Sequence, residues 1–345
     1  MKSMLVNRKS KEDLKREIAG ESFKRKTLSF YKYVKISEQK AMRDILFSEF
    51  NRLGCKGRIY VAEEGINAQM NVPVPNWETF DAFIKSIPEF IDIPYKIAVE
   101  EKDTSSFLKL TVKVKPKIVA DGLDDSSFDP SNTGEYADAR EVNSMIERGV
   151  IVVDMRNAYE AEVGHFENAK IMDVDTFREQ LSRVEKEFKD TKDKEVLLYC
   201  TGGIRCEKAS AWMKHQGFTK VKHIKGGIID YAHQVKEQDL PNKFKGKNFV
   251  FDERLGERVG DQIISDCHLC QNQKCDDHLH CKNQFCHMLF IGCPQCLKKG
   301  KGYCGTWCRM FDGKPKWIQK LFVQSIRKSH GAQFKKNYFK NKKFV

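Results

Sequence analysis

The chain has 345 residues, of which 40 % are hydrophobic and 32 % charged, and its formal net charge is +13. That length allows about two or three domains with their own cores, and no apolar run approaches the roughly 20 residues of a bilayer-spanning helix. The opening MKSMLVNRKSKEDLKREIAG is charged and has no apolar h-region, which argues against a secretory signal and predicts a cytoplasmic protein with no membrane association.

Residues 1–25 read as a basic extension, since the first 26 residues hold nine Lys/Arg against four acids. "TLSFYKYVKI" alternates β-branched and aromatic residues with polar ones and predicts a strand. Over 37–53, Met42, Ile45, Leu46, Phe50 and Leu53 recur with helical period. "GRIYVAEEGINAQMNV" reads as two strands joined at Glu64-Gly65. A second helix follows near 77–87, with Trp77, Phe80, Phe83 and Ile84 on one stripe, and strand-like runs lie at 94–100 and 107–114. The order β-α-β-β-α-β predicts a ferredoxin-like, acylphosphatase-like α+β sandwich over 26–120. Nothing in it looks catalytic; a binding platform and a packing module are both open readings.

Residues 121–136, rich in Asp, Ser, Gly and Pro, predict a linker. Over 137–240 the pattern changes. "VNSMIERG" is helical, "VIVVDMR" a continuous apolar strand, "TFREQLSRVEKEF" helical, "EVLLYC" a strand, "EKASAWMKHQGF" a helix and "VKHIKGG" a strand. Short apolar strands alternating with helices predict a parallel sheet covered on both faces. Chemistry in such sheets gathers beyond the carboxyl ends of the strands, where Cys200 and Asp154 both fall.

"CTGGIR" then sits between a strand and a helix. Gly202 and Gly203 let the backbone curl, so that the amides of Thr201, Gly202, Gly203, Ile204 and Arg205 form an anion nest. The following helix adds its N-terminal partial charge, and Arg205 a guanidinium. A thiol at the centre should be held largely as thiolate, provided solvent reaches it, and the same cradle would suit a persulfide. The bland alternative is a buried strand-end cysteine. Cys206, in the first helical turn, is a candidate resolving thiol or simply a small buried residue. The spacing C-x4-R is one residue tighter than the phosphatase loop C-x5-R and resembles the rhodanese loop for sulfur. "VDMRNAYEAEVGHFENA" (153–169), with Asp154, Arg156, Glu160, Gly164 and His165, resembles the first signature of that superfamily, and "HIKGGIIDYA" (223–232) its closing signature. Taken by themselves, Asp154 and Arg156 read as a supporting ion pair rather than catalysts, and His165 as a turn-stabilising group.

Nine of the twelve cysteines lie between Cys267 and Cys308, in a Cys-rich region expected over 241–312. Close thiolate pairs are what tetrahedral zinc requires. Cys267/Cys270 and Cys293/Cys296 are C-x2-C pairs, while Cys281, Cys286, Cys304 and Cys308 supply C-x4-C and C-x3-C pairs, so eight thiolates could hold two ions. Cys275, His268, His278, His280 and His287 are possible substitutes; free or redox-active thiols and an iron–sulfur cluster are the other readings. "GKGYCG" fits G-x-G-x-x-G but follows no strand, so it predicts no dinucleotide site. From Gly313 to Val345 there are ten Lys/Arg and no acid, with Tyr338, Phe339 and Phe344 among the lysines. Such a tail suits RNA, by phosphate neutralisation and stacking, or is merely solvated.

"YCTGGIRCEKASAWM", "VAEEGIN", "GKNFVFDERLGER" and the cysteine block together resemble the rhodanese-domain tRNA uridine 5-hydroxylases over roughly residues 25–310. The resemblance implies oxygen-dependent conversion of the anticodon wobble uridine to 5-hydroxyuridine, with Cys200 at the active-site position as a persulfide carrier, molecular oxygen as co-substrate and tRNA as partner. No flavin, haem or nicotinamide motif is visible, and oxygen chemistry usually needs such a group. The alternative is a persulfide sulfurtransferase delivering sulfur to tRNA or protein, which the loop alone favours and the flanking domains do not, and a sulfur-donor protein is a candidate partner. Oligomeric state is not legible.

Overall fold

The computed structural model describes residues 9–100, 106–124 and 127–330. The tail aromatics Tyr338, Phe339 and Phe344 lie outside the described residues. Helix α1 (Lys11–Ala19) is capped by the Ser10 side chain, which accepts from the Asp13 amide. There follow β1 (Arg25–Tyr33), α2 (Gln39–Arg52), β2 (Lys56–Ala62), β3 (Gly65–Pro73), α3 (Trp77–Ser86), β4 (Lys96–Ile97) and β5 (Leu110–Val114). The sheet order is β4-β1-β3-β2 with antiparallel neighbours, which is the ferredoxin-like arrangement, and β5 adds to β2 in parallel.

Alternation along β1 sends Leu28 and Phe30 into a core with Leu46, Phe50, Phe80 and Ile84 from α2 and α3. Each such buried side chain stabilises the domain by about 1.5–3 kcal/mol. Ile45, placed on the inner face of α2 by periodicity, is 52 % exposed, because a residue next to Leu46 stands about 100° round the helix from it. Ser29, Tyr31 and Tyr33 take the opposite phase of β1 and leave the sheet on its other face.

The central domain is a five-stranded parallel sheet ordered β6 (Glu135–Ala137), β11 (Lys220–Ile224), β10 (Glu195–Tyr199), β7 (Ile151–Asp154), β9 (Lys170–Ile171). On one face Val153, Val196 and Leu198 pack with α6 (Phe177–Phe188) and α7 (Ile204–His215). On the other Val152, Leu197 and Tyr199 pack with α4 (Ala139–Glu147) and α8 (Gly227–Glu237). A sheet buried on both sides explains why these strands are continuously apolar. The segment expected as a linker is tied down at both ends: Asp121 is 1 % exposed and paired with Lys117 and Lys208, and residues 135–137 form the edge strand β6.

The short helix α5 (Ala158–Ala161) and β8 (Gly164–Phe166) follow β7, and β8 pairs with β12 (Phe244–Asn248) of the C-terminal region. That region continues through β13 (Glu257–Arg258), a hairpin of β14 (His278–His280) and β15 (Leu289–Ile291), and helices α9 (Pro294–Gly300), α10 (Thr306–Phe311) and α11 (Lys316–His330). Among the described residues no helix is long and apolar enough to cross a membrane.

Candidate active site

Residues Cys200–Gly203 connect β10 to α7 at the carboxyl edge of the parallel sheet. The turn uses one left-handed residue: Gly203 has φ +94°, and a Cβ there would lie 2.6 Å from the Tyr31 hydroxyl. Gly227, after β11, brings the start of α8 against the loop. A Cβ on it would lie 2.4 Å from the Cys200 carbonyl oxygen, which accepts from the Ile228 amide at 3.0 Å. The Thr201 carbonyl accepts from Ile229 at 3.2 Å, and the Ile204 carbonyl from the Tyr33 hydroxyl at 3.2 Å.

The loop presents donors to one sulfur. The Gly203 amide donates to Cys200 Sγ at 3.2 Å. Burial pushes the Cys200 pKa up, but the Cys206 thiol, the Arg205 charge and the amides of Cys206 and Arg205 outweigh it and bring the group to about 6. Cys55, buried in the apolar core of the N-terminal domain, shows the contrary case: burial dominates and pushes it up to about 12. Two buried thiols therefore differ through their donors, and an inert strand-end cysteine would resemble Cys55. Cys206 is pushed well above its ordinary value by burial and by Cys200, so it stays a thiol and donates.

Arg205 is held by Glu160 through two charge-assisted bonds of 2.7 and 2.8 Å. Glu160 has no exposed surface, and its Oε1 also accepts the Asn157 amide at 2.9 Å as the capping box of α5. Asp154 and Arg156 form a fully buried pair at 2.7 Å; Asp154 also accepts from the Tyr199 hydroxyl at 2.7 Å, and Arg156 donates to the Gly164 carbonyl at 2.6 Å. They clamp β7, β10 and β8 together. The His165 ring is bonded to the Phe166 carbonyl at 3.0 Å.

Cys200 has no exposed surface, in contrast to the solvent-reached thiol expected from the loop. The cover is the polar face of the N-terminal sheet, whose Ser29, Tyr31, Tyr33 and Lys96 lie over the loop and α7. Tyr31 donates to Glu207 at 3.1 Å, and Lys208 bridges Glu64 and Asp121 at 2.7 Å each. Two cavities adjoin the cover. A groove of about 560 Å³ runs between the N- and C-terminal domains, with Lys9, Lys11, Arg58 and Lys109 on its walls and Phe249 and Tyr159 among its aromatics. A second of about 50 Å³ lies beside Thr201 and Lys96. Phe107 and Phe251 line both.

The cysteine-rich region brings Cys267, Cys270, Cys293 and Cys296 together, and separately Cys281, Cys286, Cys304 and Cys308, with the sulfurs of each set within 4.8 Å of one another. Cys275 joins neither set, nor do the four histidines of the segment. The Cys293 and Cys304 amides donate to Cys267 and Cys281 sulfurs at 3.2 and 3.4 Å. This module packs on Tyr159 of α5, next to Glu160, and His268 bonds Glu162 at 2.7 Å.

Residues 25–118 match the UPF0176 acylphosphatase like domain, 138–234 the rhodanese-like domain and 245–309 the rhodanase C-terminal domain. A solved rhodanese-like domain from Anabaena sp is 20 % identical over 33 % of this chain and 80 % of its own, with a TM-score of 0.26. Two proteins named tRNA uridine(34) hydroxylase, from Escherichia coli O9:H4 (strain HS) and Escherichia coli (strain K12), are each 53 % identical over 307 residues, 88 % of this chain and 87 % of theirs. With its three domains in that order around a sulfur-binding loop, the chain belongs to the tRNA uridine(34) hydroxylase family.

Proposed function

We propose that this protein hydroxylates the anticodon wobble uridine of tRNA at C5, with molecular oxygen as co-substrate and Cys200 as the reacting sulfur. The observation that carries the reading is a groove at the domain junction that shares Phe107 and Phe251 with the small cavity beside the Cys200 loop. The 560 Å³ groove is of ligand-pocket size, with cations for phosphate and aromatic rings for bases. Phe107 and Phe251 also line the cavity beside Thr201, one residue along the chain from a thiol of pKa about 6. A base that reacts there must leave its stack, and a wobble base in a single-stranded loop pays least for doing so.

Hydroxylation inserts one oxygen atom of O2 into the C5–H bond and reduces the other to water, which consumes two electrons and two protons from a donor. Cys200 serves as a persulfide carrier, loaded by a sulfur-donor protein, with the Gly203, Arg205 and Cys206 amides holding the anionic sulfur. Thr201, Gly202 and Ile204 shape the loop, and Cys206 is the thiol able to close a disulfide on an oxidised Cys200. The two four-thiolate sets suit zinc. With Zn–S near 2.3 Å, sulfurs of a tetrahedron stand about 3.8 Å apart. Cys286 and Cys304 are 3.7 Å apart, and Cys304 and Cys308 3.5 Å. Four thiolates per ion leave no open coordination position, so these ions brace the module that presents α5.

The test is tRNA from a deletion strain, complemented with wild type or Cys200→Ser, together with purified enzyme and tRNA under air and under nitrogen. Wild type should restore 5-hydroxyuridine, only under air in the purified system. Restoration by Cys200→Ser would remove Cys200 from the chemistry. Thiocyanate release from thiosulfate and cyanide without an oxygen-dependent nucleoside would replace hydroxylation by sulfur transfer.

A further inference from the structure

Lys96 is a buried charge that the account above leaves unused. It lies in β4 opposite Ser29 of β1, on the sheet face that covers the loop, and is 4 % exposed. Its stem passes over the turn: a Cβ on Gly202 would meet Lys96 Cδ at 3.6 Å. Its ammonium stands 4.5 Å from the centroid of the Tyr31 ring. Among the described residues it makes no hydrogen bond or ion pair, whereas Lys208 and Arg156, equally buried, are each bonded to carboxylates. Beside it Thr201 Oγ1 is buried without a hydrogen-bond partner. Both residues line the 50 Å³ cavity, and across it Arg254 is tied to Asp252 and Glu257. The charged groups that act on Lys96 are Asp230, Glu207 and Cys200; burial lowers its pKa and these three oppose it.

A buried ammonium with no hydrogen-bonded or ion-paired anion is costly even with three negative groups farther off, and the unbonded Thr201 hydroxyl beside it is a second unmet polar group. A sulfur anion that adds at C6 of a uracil forms a C6–S bond and breaks the C5=C6 π bond, whose electron pair passes to C5 and, as an enolate, to the C4 carbonyl oxygen. In the hydroxylase reading Cys200 supplies that sulfur, which leaves again as C5, once oxygenated, loses its proton. We propose that the Lys96 ammonium, with the Thr201 hydroxyl, receives the uracil O4 as it gains negative charge, making Lys96 a catalytic residue supplied by the N-terminal domain. The inference rests on the hydroxylase reading. It gives that domain a role in the chemistry, so the active site is complete only at the domain junction.

Steady-state hydroxylation of tRNA by wild type, Lys96→Met and Lys96→Arg tests it, with Cys200 alkylation by iodoacetamide followed on the same proteins by peptide mass spectrometry. A lost oxyanion donor typically costs about 10²–10³ in kcat. Lys96→Met should lose about that much kcat with KM for tRNA unchanged and Cys200 alkylated no faster than in wild type, and Lys96→Arg should recover part of it. Undiminished kcat in Lys96→Met would overturn the assignment. So would a kcat loss accompanied by faster alkylation, since that reports a loosened cover. If wild type itself forms no 5-hydroxyuridine, the hydroxylase reading fails first and takes this inference with it.

Discussion

Replacing Cys206 by alanine isolates the strongest donor to the Cys200 sulfur. In the intact loop Cys200 titrates at about 6, against 9.0 for an ordinary thiol, so at pH 7 roughly nine-tenths of it is thiolate rather than about one-hundredth. For an acid whose folded pKa is depressed, the resulting stabilisation is fully present above pH 9.0 and is lost as pH falls toward 6. The Cys206 thiol comes first among the groups that lower the value. A hydrogen bond to a charged group is worth about 1.5–3 kcal/mol, and one pH unit of midpoint corresponds to about 1.36 kcal/mol. Cys206→Ala should therefore move the midpoint from about 6 to about 7–8, while Cys206→Ser, which keeps a donor, should hold it near the wild-type value. The assay is the pH profile of iodoacetamide alkylation at the Cys200 peptide, read by mass spectrometry. A midpoint that stays near 6 in the alanine variant, or moves equally in both, would refute the donor argument and leave Arg205 and the amides as sole cause.

Glu160→Gln leaves the largely buried Arg205 guanidinium without its carboxylate; breaking a fully buried pair costs about 3–5 kcal/mol, and this pair, with the Arg205 side chain 12 % exposed, should cost somewhat less. Thermal unfolding by circular dichroism should show a melting point lowered by many degrees; an unchanged one would mean that Arg205 finds another anion. Elemental analysis of purified protein should give two zinc ions per chain, and Cys281→Ser should lower the count to one; an unaltered count would break the assignment of the second thiolate set. Deleting residues 331–345 removes five lysines and leaves α11 in place. The slope of log Kd for tRNA against log salt should flatten by about 0.7–0.9 for each phosphate that the tail neutralises. Identical slopes would confine RNA binding to the folded domains.

The backbone plan was largely legible because its signals are local. Alternation in "TLSFYKYVKI" and the apolar runs before Asp154 and Cys200 name strands through side-chain period alone, and the loop after Cys200 declares itself by two glycines and an arginine. Of those glycines only Gly203 is left-handed, a distinction composition does not carry. What escaped were pairings across the chain. Glu160 stands 45 residues before Arg205, and its capping role at Asn157 hides its second task. The tyrosines of β1 were a readable hint, since Tyr31 and Tyr33 sit on the phase of the strand that faces away from its own core. What they would touch depended on a rigid-body docking that no local period encodes. The thiolate pairs were visible as C-x2-C, C-x4-C and C-x3-C, whereas the meeting of Cys267/Cys270 with Cys293/Cys296 depends on the fold around the β14–β15 hairpin.

The burial of Cys200 follows from the kind of surface that covers it. A thiolate in free contact with solvent and oxidant climbs the oxidation ladder, so shielding preserves it. A shield built like the domain core would also exclude the substrate. The N-terminal sheet resolves this through its two faces: Leu28 and Phe30 commit one to α2 and α3, and the other meets the loop through Tyr31–Glu207, Tyr33–Ile204 and Lys208–Glu64. Of these contacts Tyr33–Ile204 is a neutral hydrogen bond, worth about 1 kcal/mol, while Tyr31–Glu207 and Lys208–Glu64 involve charged groups and are worth about 1.5–3 kcal/mol each. The groove opens along the same seam, with Arg58 and Lys109 on one wall and Phe249 and Tyr159 on the other. An RNA seated there touches both sides of the junction at once.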